Sequence, residues 1–208
     1  MYFLAEDVKL AGKEWAVKEI PQRPEDVPHF LEEAQMLARL NHPQLPRIVD
    51  YYVVEPDNVC FVVMDYIEGQ TLQAWFANRQ KKADAASVLS FAVQLCDILH
   101  YLHSIEPEPV IYRDLKPSNV IIGQDGRIKL VDFGTARSYK AGQNSDTVPL
   151  GTIGFASPEQ LHGFQTDARS DLYSLGAFMY HLLSGGGYYS VSRISLGKNK
   201  YGPAHKAD

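Results

Sequence analysis

The order of apolar and polar positions along this chain divides it into a short series of elements. Residues 14–20 read as a strand around Lys18, and Pro21, Pro24 and Pro28 then punctuate a connection into a helix. That helix starts near Asp26, a candidate N-cap. It repeats Phe30, Ala34 and Leu37 at helical spacing until Asn41 and Pro43 end the pattern, with Glu33 near the apolar face. Residues 59–66 predict a second strand. Glu68 and Gly69 then form a polar break, at which a small first lobe is expected to give way to a larger one. A long helix over residues 86–104 buries Val88, Phe91, Leu95, Ile98 or Leu99, and Leu102. Two short β-rich runs, 120–122 and 128–131, close around Asp125 and Gly126 as a hairpin. Residues 135–157 carry no period and predict a long loop, and long ordered loops are often functional. A last helix covers about 171–184, where Gly185 can cap it. From residue 186 to 208 the chain turns basic and glycine-rich without any period.

Composition narrows the function. The 208 residues are 45% hydrophobic and 22% charged, the balance of a globular protein. Twenty Lys and Arg stand against 25 acids, a net charge of −5 that gives no electrostatic case for a nucleic-acid surface or an anionic membrane. The apolar stretches are short or broken, so no transmembrane helix is expected. Glu6 and Asp7 interrupt the N-terminus before a signal-peptide core can form. Cys60 and Cys96 lack metal-ligand spacing and fit a reducing compartment as small buried hydrophobes, so a cytoplasmic protein is expected.

The densest chemistry lies at residues 112–119, Tyr-Arg-Asp-Leu-Lys-Pro-Ser-Asn, followed by Asp132-Phe133-Gly134. Asn119 and Asp132 flank the predicted hairpin. Its closure brings an amide oxygen and a carboxylate together, a hard-ligand pair suited to Mg²⁺ with waters and phosphate oxygens. Asp114 beside them can orient a hydroxyl and accept its proton, while Lys116 offsets charge on a transferring phosphoryl group. Taken singly, an Arg-Asp pair in a loop is an ordinary ion pair and Asp-Phe-Gly an ordinary turn. In this order, on either side of a hairpin, they match the set D-L-x-x-x-N followed by D-F-G.

On these motifs the sequence resembles the protein kinase family over most of residues 2–185, and its phrasing looks most like bacterial serine/threonine kinases. The resemblance implies an α+β, two-lobed fold. A β-rich N-lobe and hinge would occupy 1–67, a mainly helical C-lobe 68–185, and an atypical tail 186–208. It likens Ala16-Val17-Lys18 to the strand that holds the ATP phosphates, with Glu33 as the ion-pair partner of Lys18. Met64 takes the gatekeeper place, the backbone of residues 65–67 (Asp65 to Ile67) receives adenine, and Ala16 and Ile121 sandwich the ring. Asp114, Lys116 and Thr152 become the catalytic set, and Asn119 and Asp132 the Mg²⁺ ligands. Ser157-Pro158-Glu159 resembles the end of an activation segment, with Gly151-Thr152 just before it. Lys116 and Thr152 favour serine/threonine over tyrosine acceptors. Arg113 suggests control by a phosphorylated loop, with Ser145 and Thr147 as candidate acceptors. Asp171 resembles a helix-start aspartate that braces the catalytic loop, a place where it can equally serve as an N-cap.

The chain also departs from the family pattern. Tyr112 stands where histidine is usual, and its aromatic ring can fill the same place under Phe133. No glycine-rich loop precedes Tyr2, and nothing after residues 185–187 matches the helices that follow in the family, including a basic partner for Glu159. Both lobes are therefore expected to be incomplete, ATP affinity to be reduced, and the apolar face of the last helix to be open to self-association. The reading is a serine/threonine protein kinase fragment that uses ATP and Mg²⁺ on protein hydroxyls. The alternatives are a catalytically inactive, pseudokinase-like binding module and a small-molecule phosphotransferase.

Overall fold

The computed structural model describes residues 1–55, 59–139 and 152–189, whose apolar side chains gather in two clusters. The first belongs to a four-stranded antiparallel sheet made of β1 (Tyr2–Glu6), β2 (Glu14–Pro21), β3 (Ile48–Val54) and β4 (Val59–Asp65), in the order β1-β2-β4-β3. Ala16 lies opposite Met64 and Lys18 opposite Val62. Residues paired across strands share a face, so Ala16, Lys18 and Ile20 look the same way as the buried Cys60, Val62 and Met64. α1 (Val27–Ala38) covers that face with Phe30 and Ala34, four residues apart on one stripe. Asp26 does stand at the N-cap position. Its carboxylate does not cap the helix, however, and instead accepts from Arg23 Nε at 2.8 Å.

β3 is not predicted by the sequence pattern. A bulge between Ile48 and Asp50 shifts its register, and with Val49 turned outward the alternation that would announce a half-buried strand is broken.

The second cluster fills the larger lobe, built from β5 (Gln70–Thr71), α2 (Leu72–Asn78), α3 (Ala85–His103), β6 (Val110–Ile111), β7 (Val120–Ile122), β8 (Ile128–Leu130), β9 (Arg137–Ser138), α4 (Pro158–Leu161) and α5 (Ala168–Leu183). Asp84 caps α3, its carboxylate accepting from Ser87 N at 2.8 Å. The predicted stripe from Val88 to Leu102 is buried against α2, α5 and the hairpin. By length and composition α3 is also apolar enough to cross a membrane, which corrects the expectation that no stretch of the chain qualifies. Its polar positions are mostly small or uncharged, so they do not interrupt its hydropathy, and its apolar stripe lies in the lobe core.

α5 begins before its predicted start because Asp167 caps it in a capping box with Ser170. Asp171 therefore lies in the first turn, fully buried, and is not the N-cap. Gly185, at φ +75°, closes the helix as expected, and Gly186 N donates to His181 O at 2.8 Å. Leu172 and Leu183 on α5 are about half exposed.

The hairpin forms as predicted, with Val120 opposite Leu130 and Ile122 opposite Ile128. Gly69 ties it to the chain leaving β4. At φ +149° and hard against the carbonyl oxygen of Ile122, this position has no room for a Cβ. Gly69→Ala is expected to cost roughly 1–3 kcal/mol, as overpacking does, read as a lower urea midpoint at unchanged slope. An unchanged midpoint would show that the chain at Gly69 can retreat from the hairpin.

Candidate active site

Asp171 organises the loop that carries the chemistry. Its two carboxylate oxygens accept the main-chain N–H groups of Tyr112 at 2.9 Å and Arg113 at 2.8 Å, and His103 Nε2 lies 2.7 Å away. Arg113 is buried at φ +72°, a conformation disfavoured for a side chain of its size. Its carbonyl accepts from Gln160 Nε2 at 2.7 Å, so the turn is held on both sides. The ring of Tyr112 meets Phe133 edge to face at 5.2 Å, and its hydroxyl donates to Val131 O. The tyrosine thus fills the place under Phe133, and burial pushes its hydroxyl pKa well above the ordinary value.

The next residue, Asp114, is the centre of a closed polar cluster. Asn119 Nδ2 donates to its Oδ2 at 2.9 Å and to its main-chain carbonyl at 3.0 Å. Thr152 Oγ1 donates to Oδ1 at 2.8 Å. Lys116 Nζ lies 2.6 Å from Oδ2 and donates to Thr152 Oγ1 at 2.8 Å. Thr152 is 38 residues from Asp114 in sequence, yet the segment ending in Ser157-Pro158-Glu159 brings it here. Ser157 and Gln160 form the capping box of α4, and Glu159 accepts from Ser170 Oγ at 2.6 Å. Gly151, Ser145 and Thr147 lie outside the described residues.

Across the cleft, Lys18 Nζ is 2.6 Å from Asp132 Oδ1. Burial would raise the Asp132 carboxyl, but Lys18 and the Tyr2 hydroxyl outweigh it and hold the pKa below the ordinary carboxylate value. Here the structure differs from the resemblance, which pairs Lys18 with Glu33. Glu33 instead lies 3.1 Å from His29 Nε2 and 3.7 Å from Arg137 Nε. The physical reason is the strength of the competing partner: Asp132 meets Lys18 directly, while a cavity of about 120 Å³ opens between β2, β4 and α1, with Lys18, Glu33, Met64 and Phe133 in its wall.

Burial raises the Glu33 pKa, and Arg137, His29, Arg113 and Lys18 only partly offset this. A carboxyl raised on folding binds more protons in the folded state, so its contribution falls as pH rises from the unfolded value of about 4.3 through the folded one. Glu33→Gln removes that loss. Its melting temperature relative to the parent is therefore expected to improve between pH 4 and pH 7, and a relative decline would show that His29 and Arg137 dominate.

At the hinge, Met64 is buried opposite Ala16, and Asp65 is engaged by Arg47 twice, its carboxylate accepting from Arg47 Nε at 2.9 Å and its main-chain N–H donating to Arg47 O at 3.0 Å. Ile67 follows in the connection to β5. Ile121 lies in β7 opposite Thr71 and Lys129, half-buried. Sequence reasoning does not reach Gln160 and His103. Neither belongs to a short motif, and their importance lies in partners 47 and 68 residues away.

The protein kinase domain family model matches residues 6–201, beyond the glycine run at which the motif resemblance ends. The chain belongs to the protein kinase family, with an α+β kinase fold. A probable serine/threonine-protein kinase of Streptomyces coelicolor is 35% identical over 191 residues, covering 86% of this chain and 27% of that protein. Serine/threonine-protein kinase A of Synechocystis is 35% identical over 198 residues, 88% of this chain and 37% of its own length. PknB of Mycolicibacterium smegmatis is 34% identical over 191 residues, 88% of this chain and 30% of its own length. The chain thus spans between 27% and 37% of these relatives.

Proposed function

We propose that this chain is a serine/threonine protein kinase catalytic domain, working in the cytoplasm, that transfers the γ-phosphoryl group of ATP to protein hydroxyls. The observation that carries the reading is the closed cluster of Asp114, Lys116, Asn119 and Thr152 facing the Lys18–Asp132 pair. Mg²⁺ fits the donor set. Asn119 commits its amide nitrogen to Asp114, which leaves its carbonyl oxygen available beyond a long 3.4 Å contact with Ser118, and Asp132 supplies a carboxylate. Asn119 and Asp132 would hold the ion, which when bound neutralises charge on the β- and γ-phosphates.

The remaining steps belong to the protein. Lys18 exchanges Asp132 for phosphate oxygens, and the backbone of residues 65–67 receives the adenine between Ala16 and Ile121. Asp114 accepts the proton of the acceptor hydroxyl as its oxygen bonds to the γ-phosphorus. The bond from that phosphorus to the β–γ bridging oxygen breaks, and ADP leaves with the electron pair. Lys116 balances the charge of the transferring group. Thr152, held by both Lys116 and Asp114, sets the floor on which a serine or threonine approaches.

The test is incubation of the chain with Mg²⁺, radiolabelled ATP and a general protein acceptor, followed by phosphoamino-acid analysis. Phosphoserine or phosphothreonine that disappears in Asp132→Ala supports the reading. No transfer by the parent chain would favour the inactive binding module, and label on a small alcohol but never on protein would favour a small-molecule kinase.

A further inference from the structure

The outer edge of β8 has no strand beside it among the described residues, yet its polar groups are paired. Ile128 N donates to Gln94 Oε1 at 3.0 Å, and Ile128 O accepts from Gln44 Nε2 at 3.2 Å. The two side chains also join each other, Gln44 Nε2 donating to Gln94 Oε1 at 3.0 Å. On the same edge Leu130 N donates to Gln44 O at 3.0 Å, and Lys129 Nζ donates to Pro43 O at 2.8 Å. The orientation of both amides follows from the main chain. An N–H at Ile128 demands an oxygen from Gln94, and that oxygen and the Ile128 carbonyl both demand a donor from Gln44. Gln94 comes from α3, whereas Gln44 lies between α1 and β3, three residues before Arg47, whose main-chain oxygen accepts from Asp65 N at 3.0 Å.

We infer that Gln44 and Gln94 are positioning residues, a clasp that holds the hairpin bearing Asn119 and Asp132 in fixed register with the hinge. The consequence for metal and nucleotide rests on the function proposed above; the clasp itself does not. Asp132 follows Leu130 by two residues and Asn119 directly precedes Val120, so a shift of β8 moves both candidate ligands relative to the adenine site. Groups bonded directly to a metal ligand are typically worth about 10–100-fold in metal affinity, and the clasp, which acts one step further out through β8, belongs at the lower end of that range.

The two glutamines have opposite requirements, and this makes the inference testable. Toward Gln44 and Ile128, Gln94 acts as an acceptor, and its own Nε2 makes only a long 3.4 Å bond to Ser90 O within α3, so Gln94→Glu keeps both bonds of the clasp. Gln44 acts through its side chain as a donor, so Gln44→Glu sets a carboxylate against Gln94 Oε1 and Ile128 O. Calorimetric titration of Mg²⁺ in the presence of ATP is expected to give near-parental affinity for Gln94→Glu and about tenfold weaker affinity for Gln44→Glu and Gln94→Leu. Hydrogen exchange at the Ile128 amide should accelerate in the same two variants and not in Gln94→Glu. Equal behaviour of the two glutamate variants in exchange, or a loss of melting temperature with no change in exchange, would overturn the clasp. Faster exchange without any change in Mg²⁺ affinity would overturn its role in positioning the ligands. Failure of the parent chain to bind Mg²⁺ and ATP would count against the proposed function, while the exchange measurement would still decide the clasp.

Discussion

Asp114→Asn is expected to lower the rate of phosphoryl transfer by about 10³-fold, within the range that a positioned general base supplies, while leaving Mg²⁺-ATP affinity near the parental value. The substitution is well matched to the site. Asparagine keeps an oxygen for Lys116 and Asn119, and its NH₂ can face Thr152 Oγ1, which is able to accept. The cluster can therefore re-form, and the cost in stability should stay below about 1.5 kcal/mol, the scale of one hydrogen bond. What the amide cannot do is take a proton from the acceptor hydroxyl. Single-turnover transfer and calorimetric nucleotide binding on the same preparation separate the two effects. A variant that retains transfer to within about tenfold of the parent would remove Asp114 from the role of proton acceptor.

The largest effect on stability is expected at Asp171. Asp171→Ala withdraws the acceptor of two main-chain N–H groups in a loop that has no access to water there, and it strands His103 Nε2 as well. Breaking a buried charged network in this way costs roughly 3–5 kcal/mol. For a chain of this size that amounts to a melting-temperature drop on the order of 10 °C. Asp171→Asn retains one acceptor oxygen and should fall between the parent and Asp171→Ala, which keeps the comparison measurable if the alanine variant does not fold. His103→Ala should cost less than Asp171→Ala, because it removes one partner and leaves both main-chain bonds in place. In the double variant the two losses should be less than additive. Full additivity would mean that His103 and Asp171 act independently despite their contact.

The parts of the site that short segments define are legible in the order of residues alone. Asn119 and Asp132 flank a hairpin whose two runs and turn residues are contiguous, and its pairing follows from local alternation and from Gly126 at φ +75°. Asp114 and Lys116 stand two apart in one loop. The stripe of α3 is readable for the same reason, since 19 residues of period 3.6 repeat the signal several times over. β3 is not, because its bulge removes the alternation within a seven-residue strand. Asp171 stands out by its motif, but its relation to the helix is set by Asp167, which caps four residues earlier.

The sequence by itself determined the elements, the order of the motifs and the residue types available for phosphoryl transfer, because periodicity, capping and turn chemistry act over a few neighbouring residues. The tertiary structure decided which of those residues meet. Lys18 and Asp132 are 114 positions apart, and their contact depends at once on the register of β2 with β4, the placement of α1 and the seating of the hairpin. Glu33, although on the expected helix, meets His29, its i,i+4 neighbour on α1, and Arg137, which only the fold brings within 3.7 Å, while Asp132 takes Lys18.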